Sequence, residues 1–120
     1  MTEMRDAKPY NLEERTLLFA KTVIDSVGGI PKTLANNEIA RQLVRSAGSV
    51  GANYIEANEA LSRKDFLLRL KICRKEAKES CYWIKLLTVP GKAEQAALLQ
   101  ESTEIVRTFS SIIEKIGKKV

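Results

Sequence analysis

The side chains with the greatest chemical potential in this 120-residue chain are four glutamates, two cysteines and a run of lysines. Glu56 with Glu59, and Glu76 with Glu79, have the Glu-x-x-Glu spacing of carboxylates that bind metal or exchange protons. The chain contains no histidine. That removes Ser-His and Cys-His nucleophile pairs and the Glu-x-x-His motif of di-iron bundles. On a wheel of 100° per residue all four glutamates fall away from the apolar seams, beside Arg63, Lys75 and Lys78. Surface ion pairing is therefore the expected role, with no metal site, no cofactor and no enzyme activity. Cys73 and Cys81 lack CxxC spacing and face the seam side, as buried thiols of a reducing compartment do. "SAGSVGA" has neither the lysine of a phosphate loop nor a preceding strand.

Charge gives a stronger signal. Between Arg63 and Lys85 there are eight basic residues (Arg63, Lys64, Arg69, Lys71, Arg74, Lys75, Lys78, Lys85) against three acids (Asp65, Glu76, Glu79). This stretch alone equals the +5 of the whole chain, whose remainder holds twelve of each sign (20 less 8, 15 less 3). Lys64, Lys71, Lys78 and Lys85 recur every seven residues and form one row, with Arg74 and Lys75 beside it. Seven helical residues rise about 10.5 Å, so a phosphate backbone could follow that ladder. The plainer alternative is a solvated face with local pairs such as Lys75 to Glu79. Seven aromatic residues, mostly assigned to seams, leave no platform for stacking unpaired bases. Any nucleic-acid contact is expected to be electrostatic and led by shape.

These residues need helices to hold them. Hydrophobic residues make up 44% of the chain and aromatics 6%, and β-branched runs are scarce, which favours a single all-α domain spanning 1–120. Asn11 with Glu14 forms a capping box for a first helix, with Leu12, Thr16, Phe19, Ala20, Val23, Ile24 and Val27 on one face. Gly28-Gly29 ends it, as residues that tolerate a left-handed cap. A second helix starts after Asn36 or Asn37, with the seam Ile39, Leu43, Ala47, Val50, Tyr54, Ala57 and Leu61. Ser62 with Asp65 caps a third, whose seam is Phe66, Leu70, Cys73, Ala77, Ser80, Ile84 and Leu87, and Pro90-Gly91 closes it. The fourth carries Leu98, Ser102, Ile105, Val106, Phe109, Ile112, Ile113 and Ile116. Short connections predict an antiparallel up-down-up-down four-helix bundle, with helices two and three about 25 residues, or 38 Å, long.

Two features ask for more than one chain. Gly48 and Gly51 each cost about 1 kcal/mol relative to alanine inside a helix. The seam keeps phase across them, so a continuous helix is expected, although Asn53 with Glu56 could restart one. On that reading Gly48, Gly51 and Ala52 reduce bulk so that another backbone can approach. On helix three, Leu68, Ile72, Trp83 and Leu86 group nearly opposite the seam, with Tyr82 at the edge. Leaving them exposed would forfeit about 1.5–3 kcal/mol each, so a second copy of the chain is the expected cover. An N-terminal arm around Tyr10 is the other way to cover Trp83 and Leu86. No stretch resembles a signal peptide or membrane span, and a cytoplasmic protein is expected.

The segments "NLEERTLLFAKTVIDSV", "IPKTLANNEIARQLVRSAGSVGANYIEANEA", "KDFLLRLKICRKEAKESCYWIKLL" and "IVRTFSSIIEKI" resemble the bacterial four-helix bundle family of 23S ribosomal RNA intervening-sequence proteins. The resemblance runs from Tyr10 to Ile116, and "GSVGANYIEANEA" and "CRKEAKESCYWIKLL" are its most specific parts. It implies a ring-like homopentamer, encoded in or outside insertions of large-subunit ribosomal RNA genes. A related branch, the accessory variability determinant of diversity-generating retroelements, is a basic pentameric barrel that binds nucleic acid and its reverse transcriptase. Many relatives carry proline where this chain has Gly51, which implies a bend there. The expectation is a homo-oligomer, by resemblance a pentamer, that binds RNA or DNA backbone through Lys64, Lys71, Arg74, Lys75, Lys78 and Lys85. The alternative is an oligomeric adaptor for a protein partner.

Overall fold

The structure is a computed structural model and describes residues 11–89 and 91–118. It contains four helices among those residues: α1 (Leu12–Gly28), α2 (Leu34–Asn58), α3 (Arg63–Leu86) and α4 (Lys92–Gly117). Three of them begin at a side-chain cap. Asn11 Oδ1 accepts from the Glu13 and Glu14 amides at 2.8 and 3.4 Å. Ser62 Oγ accepts from the Asp65 amide at 3.0 Å, as the capping signature predicts. Helix α2 starts earlier than Asn36 or Asn37, because Thr33 Oγ1 takes the Asn36 amide at 3.0 Å. Gly91 caps α4 with no side-chain bond, which explains why that start is faint in the sequence.

Asn36 is therefore not a cap but a buried tie. Its Nδ2 donates to Pro31 O (3.1 Å) and Thr88 O (2.9 Å), and its Oδ1 accepts from the Thr88 amide (3.1 Å). One side chain thus holds the α1–α2 connection against the segment that follows α3. Gln95 Nε2 covers the carbonyls of Ile84 (2.8 Å) and Leu87 (3.0 Å) at the same end. The expected left-handed cap after α1 is absent. Gly29 sits at φ −103° and ψ 2°, and no described residue has positive φ.

The core follows the seams. Phe19 and Val23 from α1, Leu43, Ala47 and Val50 from α2, Leu70, Cys73, Ala77 and Ile84 from α3, and Ile105 and Phe109 from α4 are buried. Each large one contributes about 1.5–3 kcal/mol by leaving water. Small residues face one another between α2 and α3, where Ser46 Oγ and Ser80 Oγ lie 2.9 Å apart and each also bonds a carbonyl of its own helix. Tyr54 meets Phe109 edge to face, ring centres 5.8 Å apart. Arg15 of α1 reaches α4, donating to Glu101 at 2.8 Å and Glu104 at 3.0 Å, and Ser26 Oγ donates to Glu94 at 2.9 Å. Leu61, assigned to the second seam, lies beyond the end of α2 and is fully exposed, because the chain turns before the seam can extend that far.

Helix α2 runs unbroken through Gly48 and Gly51. The restart at Asn53 does not occur. Asn53 Nδ2 instead bonds back to Ser49 O (2.9 Å) and Ser49 Oγ (3.0 Å), and its Oδ1 accepts from Arg69 Nη1 of α3 (3.2 Å).

Candidate nucleic-acid interface

Helix α3 is packed on two flanks and open on its outer face. The α2 flank carries Arg69, Glu76 and Glu79. The α4 flank carries Arg74 and Cys81, whose Sγ donates to Ser102 Oγ at 3.1 Å. Between the flanks, facing solvent, lie Lys64, Lys71, Lys75, Lys78 and Lys85, all exposed, while Arg74 is half-buried. The seven-residue row is thus held on one outward face by a helix whose opposite face is locked into the core. Among the described residues Lys64, Lys71, Lys78 and Lys85 form no ion pair. Lys75 alone does so, with Nζ 3.7 Å from Glu76 Oε2.

Glu56 and Glu59 are exposed, as expected, and Glu76 differs from the expectation. Glu76 is not wet but buried at the α2–α3 contact, with 8% of its side chain exposed, and it accepts from Arg45 Nη1 at 3.4 Å. Arg45 also binds Glu79, and Glu79 accepts the Trp83 indole N–H at 2.9 Å. The Trp83 N–H and then Arg45 hold the Glu79 carboxyl below its ordinary value, and the Glu79 hydrogen bond raises the Arg45 guanidinium in turn. The helical wheel missed this because it omits the neighbouring helix. Arg45 of α2 supplies the cation that makes burial of Glu76 tolerable. Arg15, raised chiefly by its bond to Glu101, forms the corresponding clasp between α1 and α4. Cys73 is buried, and burial pushes its thiol up to about 12, so it stays protonated near neutral pH.

The proposed oligomer surfaces divide in the same way. Leu68, Tyr82 and Leu86 are exposed, at 55%, 57% and 44%. Trp83 is not: it is half-buried, packs against the core and stacks its edge on Tyr82 at 5.0 Å. Ile72 is half-buried as well. Both lie toward the α2 flank, so they do not share the open stripe with Leu68 and Leu86. Tyr10 and the arm around it lie outside the described residues. On α2, Gly48 and Ala52 are exposed in line with Ile55. Gly51 turns inward, and a Cβ there would stand 3.0 Å from Thr16 Oγ1. Its small size serves the α1–α2 contact within one chain, which corrects its assignment to an interface.

Sequence reasoning missed Leu17, Leu18 and Ile24 of α1, each more than half exposed. Ile24, which spacing assigns to the first seam, lies seven residues after Leu17 on the outer side. It also missed Arg107, because the charge count stopped at the end of α3. Arg74 and Arg107 line one groove between α3 and α4 with Ser110, Ser111, Ile113 and Glu114. A second groove, at the start of α3, is lined by Ser62, Lys64, Asp65 and Lys71 with Leu67 and Leu68. No helix among the described residues is long and apolar enough to cross a membrane.

Among the described residues these features define an all-α protein of four helices with a cationic outer face on the third. The model of the family described as "23S rRNA-intervening sequence protein" matches residues 10–116, and the chain belongs to that family. A solved relative is a protein with unknown function from the S23 ribosomal protein family of Bacteroides thetaiotaomicron. It is 32% identical, with a TM-score of 0.72, over 86% of this chain and 98% of that one. Comparison with curated proteins gives no match.

Proposed function

We propose that this chain is a non-enzymatic homo-oligomer, a ring-like pentamer of up-down-up-down bundles, that binds nucleic-acid backbone, RNA in particular, through the outer face of α3. The observation that carries this reading is the row of exposed Lys64, Lys71, Lys78 and Lys85, without an ion pair among the described residues, on a rigidly held helix, with Arg74 and Lys75 beside it. The family name, which refers to ribosomal RNA, is consistent with it. Arg15 meeting Glu101 and Glu104, Ser26 meeting Glu94, Ser46 meeting Ser80 and Gln95 meeting Leu87 fit the up-down course. Exposed Leu68, Tyr82 and Leu86, with Gly48 and Ala52 on α2, support contact between copies. The ring brings several rows together, and their potentials add. Two free cysteines fit a cytoplasmic setting.

Backbone neutralisation releases counterions, so affinity should fall steeply as salt rises. Replacing Lys71, Lys75 and Lys78 with glutamine should flatten the log–log salt slope by about 2 to 3 units. An unchanged slope leaves the row without this role and turns the oligomer into a protein adaptor, for which the same apolar residues would be the docking surface. Native mass measurement of Leu68→Asp with Leu86→Asp tests assembly: folded monomers are expected, and a persistent oligomer would place the interface elsewhere.

A further inference from the structure

The lysine row borders a second cationic feature that its spacing does not include. The groove between α3 and α4, about 540 Å³, is lined by Arg74 from one helix and by Arg107, Ser110, Ser111 and Glu114 from the other. The four α4 residues stand at i, i+3, i+4 and i+7, so a single face of α4 supplies them. Arg15, Arg45 and Arg69 each have a carboxylate or amide oxygen as partner. Arg74 and Arg107 have no ion pair or side-chain hydrogen bond with any described residue, although Glu114 lines the same groove. Two guanidiniums therefore share a concave site with their donor forks unused by any described residue, and Arg74 is half-buried.

We propose that this groove seats one phosphate group of a bound nucleic acid, with Arg74 and Arg107 as its two guanidinium forks. A guanidinium presents paired N–H donors that match phosphate oxygens, and such charge-assisted bonds are about twice as strong as neutral ones. The hydroxyls of Ser110 and Ser111 add donors to the same groove, which suits a tetrahedral oxyanion with more than two acceptor oxygens. Lys71 and Lys78, three residues before and four after Arg74, lie on adjoining turns, so the seat continues the cationic row toward α4. Glu114 reduces the local charge by one, and the lining keeps a net positive sign. The assignment rests on the nucleic-acid reading above. The phosphate could be an internal backbone diester or a terminal monoester, which share this chemistry.

The full chain, wild type and with Arg107→Gln or Arg107→Lys, is titrated with inorganic phosphate by NMR, following the arginine Nε–H and the Ser110 and Ser111 amides. It is also titrated with one oligonucleotide carrying or lacking a 5′-phosphate. Saturable phosphate shifts at Arg74, Arg107 and the two serines are expected, and Arg107→Gln should abolish them. That variant should weaken oligonucleotide binding by about tenfold and flatten the salt slope by about 0.7–0.9, the value of one phosphate contact. Arg107→Lys should keep the slope and recover only part of the affinity. Equal loss on both oligonucleotides identifies a backbone diester, and loss confined to the 5′-phosphorylated one identifies a terminal phosphate. If Arg107→Gln binds both as wild type does, with no saturable shift in the groove, the seat is overturned while the nucleic-acid reading stands. If the wild type binds neither oligonucleotide yet phosphate still saturates the groove, the nucleic-acid reading has fallen and the phosphate seat survives it.

Discussion

The two flanks of α3 carry similar side chains and use them in opposite ways. Toward α2, Arg45 meets Glu76 and Glu79, Trp83 donates to Glu79, and Arg69 reaches Asn53. Toward α4 and solvent, Arg74, Lys78, Lys85 and Arg107 have no acidic partner among the described residues. Two of the three acids that a linear count subtracts from the whole helix, Glu76 and Glu79, are thus committed to a single side. The local excess on the open side is greater than the net charge of the segment suggests. One flank helps to hold the fold, and the other keeps the cations that the proposed contact with a polyanion requires.

The contrast can be broken most sharply by removing charge from each flank in turn. Glu76→Gln with Glu79→Gln should destabilise the protein by about 1–2 kcal/mol, because the two bonds from Arg45 lose their charge assistance. Chemical denaturation would show this, and nucleic-acid affinity should not fall. Lys78→Gln with Lys85→Gln should change stability by less than about 0.5 kcal/mol. The same pair should flatten the salt slope of binding by about 1.5 units. If the lysine pair costs as much stability as the glutamate pair, the two flanks are not distinct.

A second test carries the division onto α2. Gly48 has nothing within 4 Å of a built Cβ, so Gly48→Ala should stabilise the folded chain by about 1 kcal/mol through helix propensity. Gly51→Ala gains the same propensity, but its methyl meets Thr16 Oγ1, which is pinned by bonds to Leu12 O (2.8 Å) and Glu13 O (3.1 Å). It should melt lower than Gly48→Ala by thermal denaturation, with overpacking costing about 1–3 kcal/mol.

The smallest effect is a pH dependence. The folded protein holds Glu79 below its ordinary value of 4.5, so the unfolded chain takes up that proton first as pH falls. The stabilisation is complete above the ordinary carboxylate range and is lost as pH drops through the depressed folded value. Glu79→Gln should remove this part of the acid sensitivity, visible as a shallower fall of the denaturation midpoint with pH. No such change is expected from Lys78→Gln.

Helix identity was legible from apolar spacing and from the caps Asn11 and Ser62, because both are local properties of the chain. Partnering across helices was not. Glu76 looks like a surface residue until Arg45 is brought beside it, and Trp83 looks unpartnered until it packs against the core and donates to the Glu79 that Arg45 holds. Gly51 and Gly48 are indistinguishable by composition, and only the position of Thr16 separates them. The lysine row was readable because its seven-residue repeat lies within one helix. Arg107 escaped notice because its relation to Arg74 exists only between two helices.

Asn36 has a further consequence. Its amide fastens Pro31 to Thr88 at one pole of the molecule, and Gln95 reinforces that pole. At the other pole the turn between α2 and α3 carries a bare Leu61 beside Ala60, Ser62 and the end of α4 at Ile116. The bundle is built like a clothes peg, sprung shut at one tip and closed at the other mainly by grip, so its amides should exchange with solvent first around the α2–α3 turn.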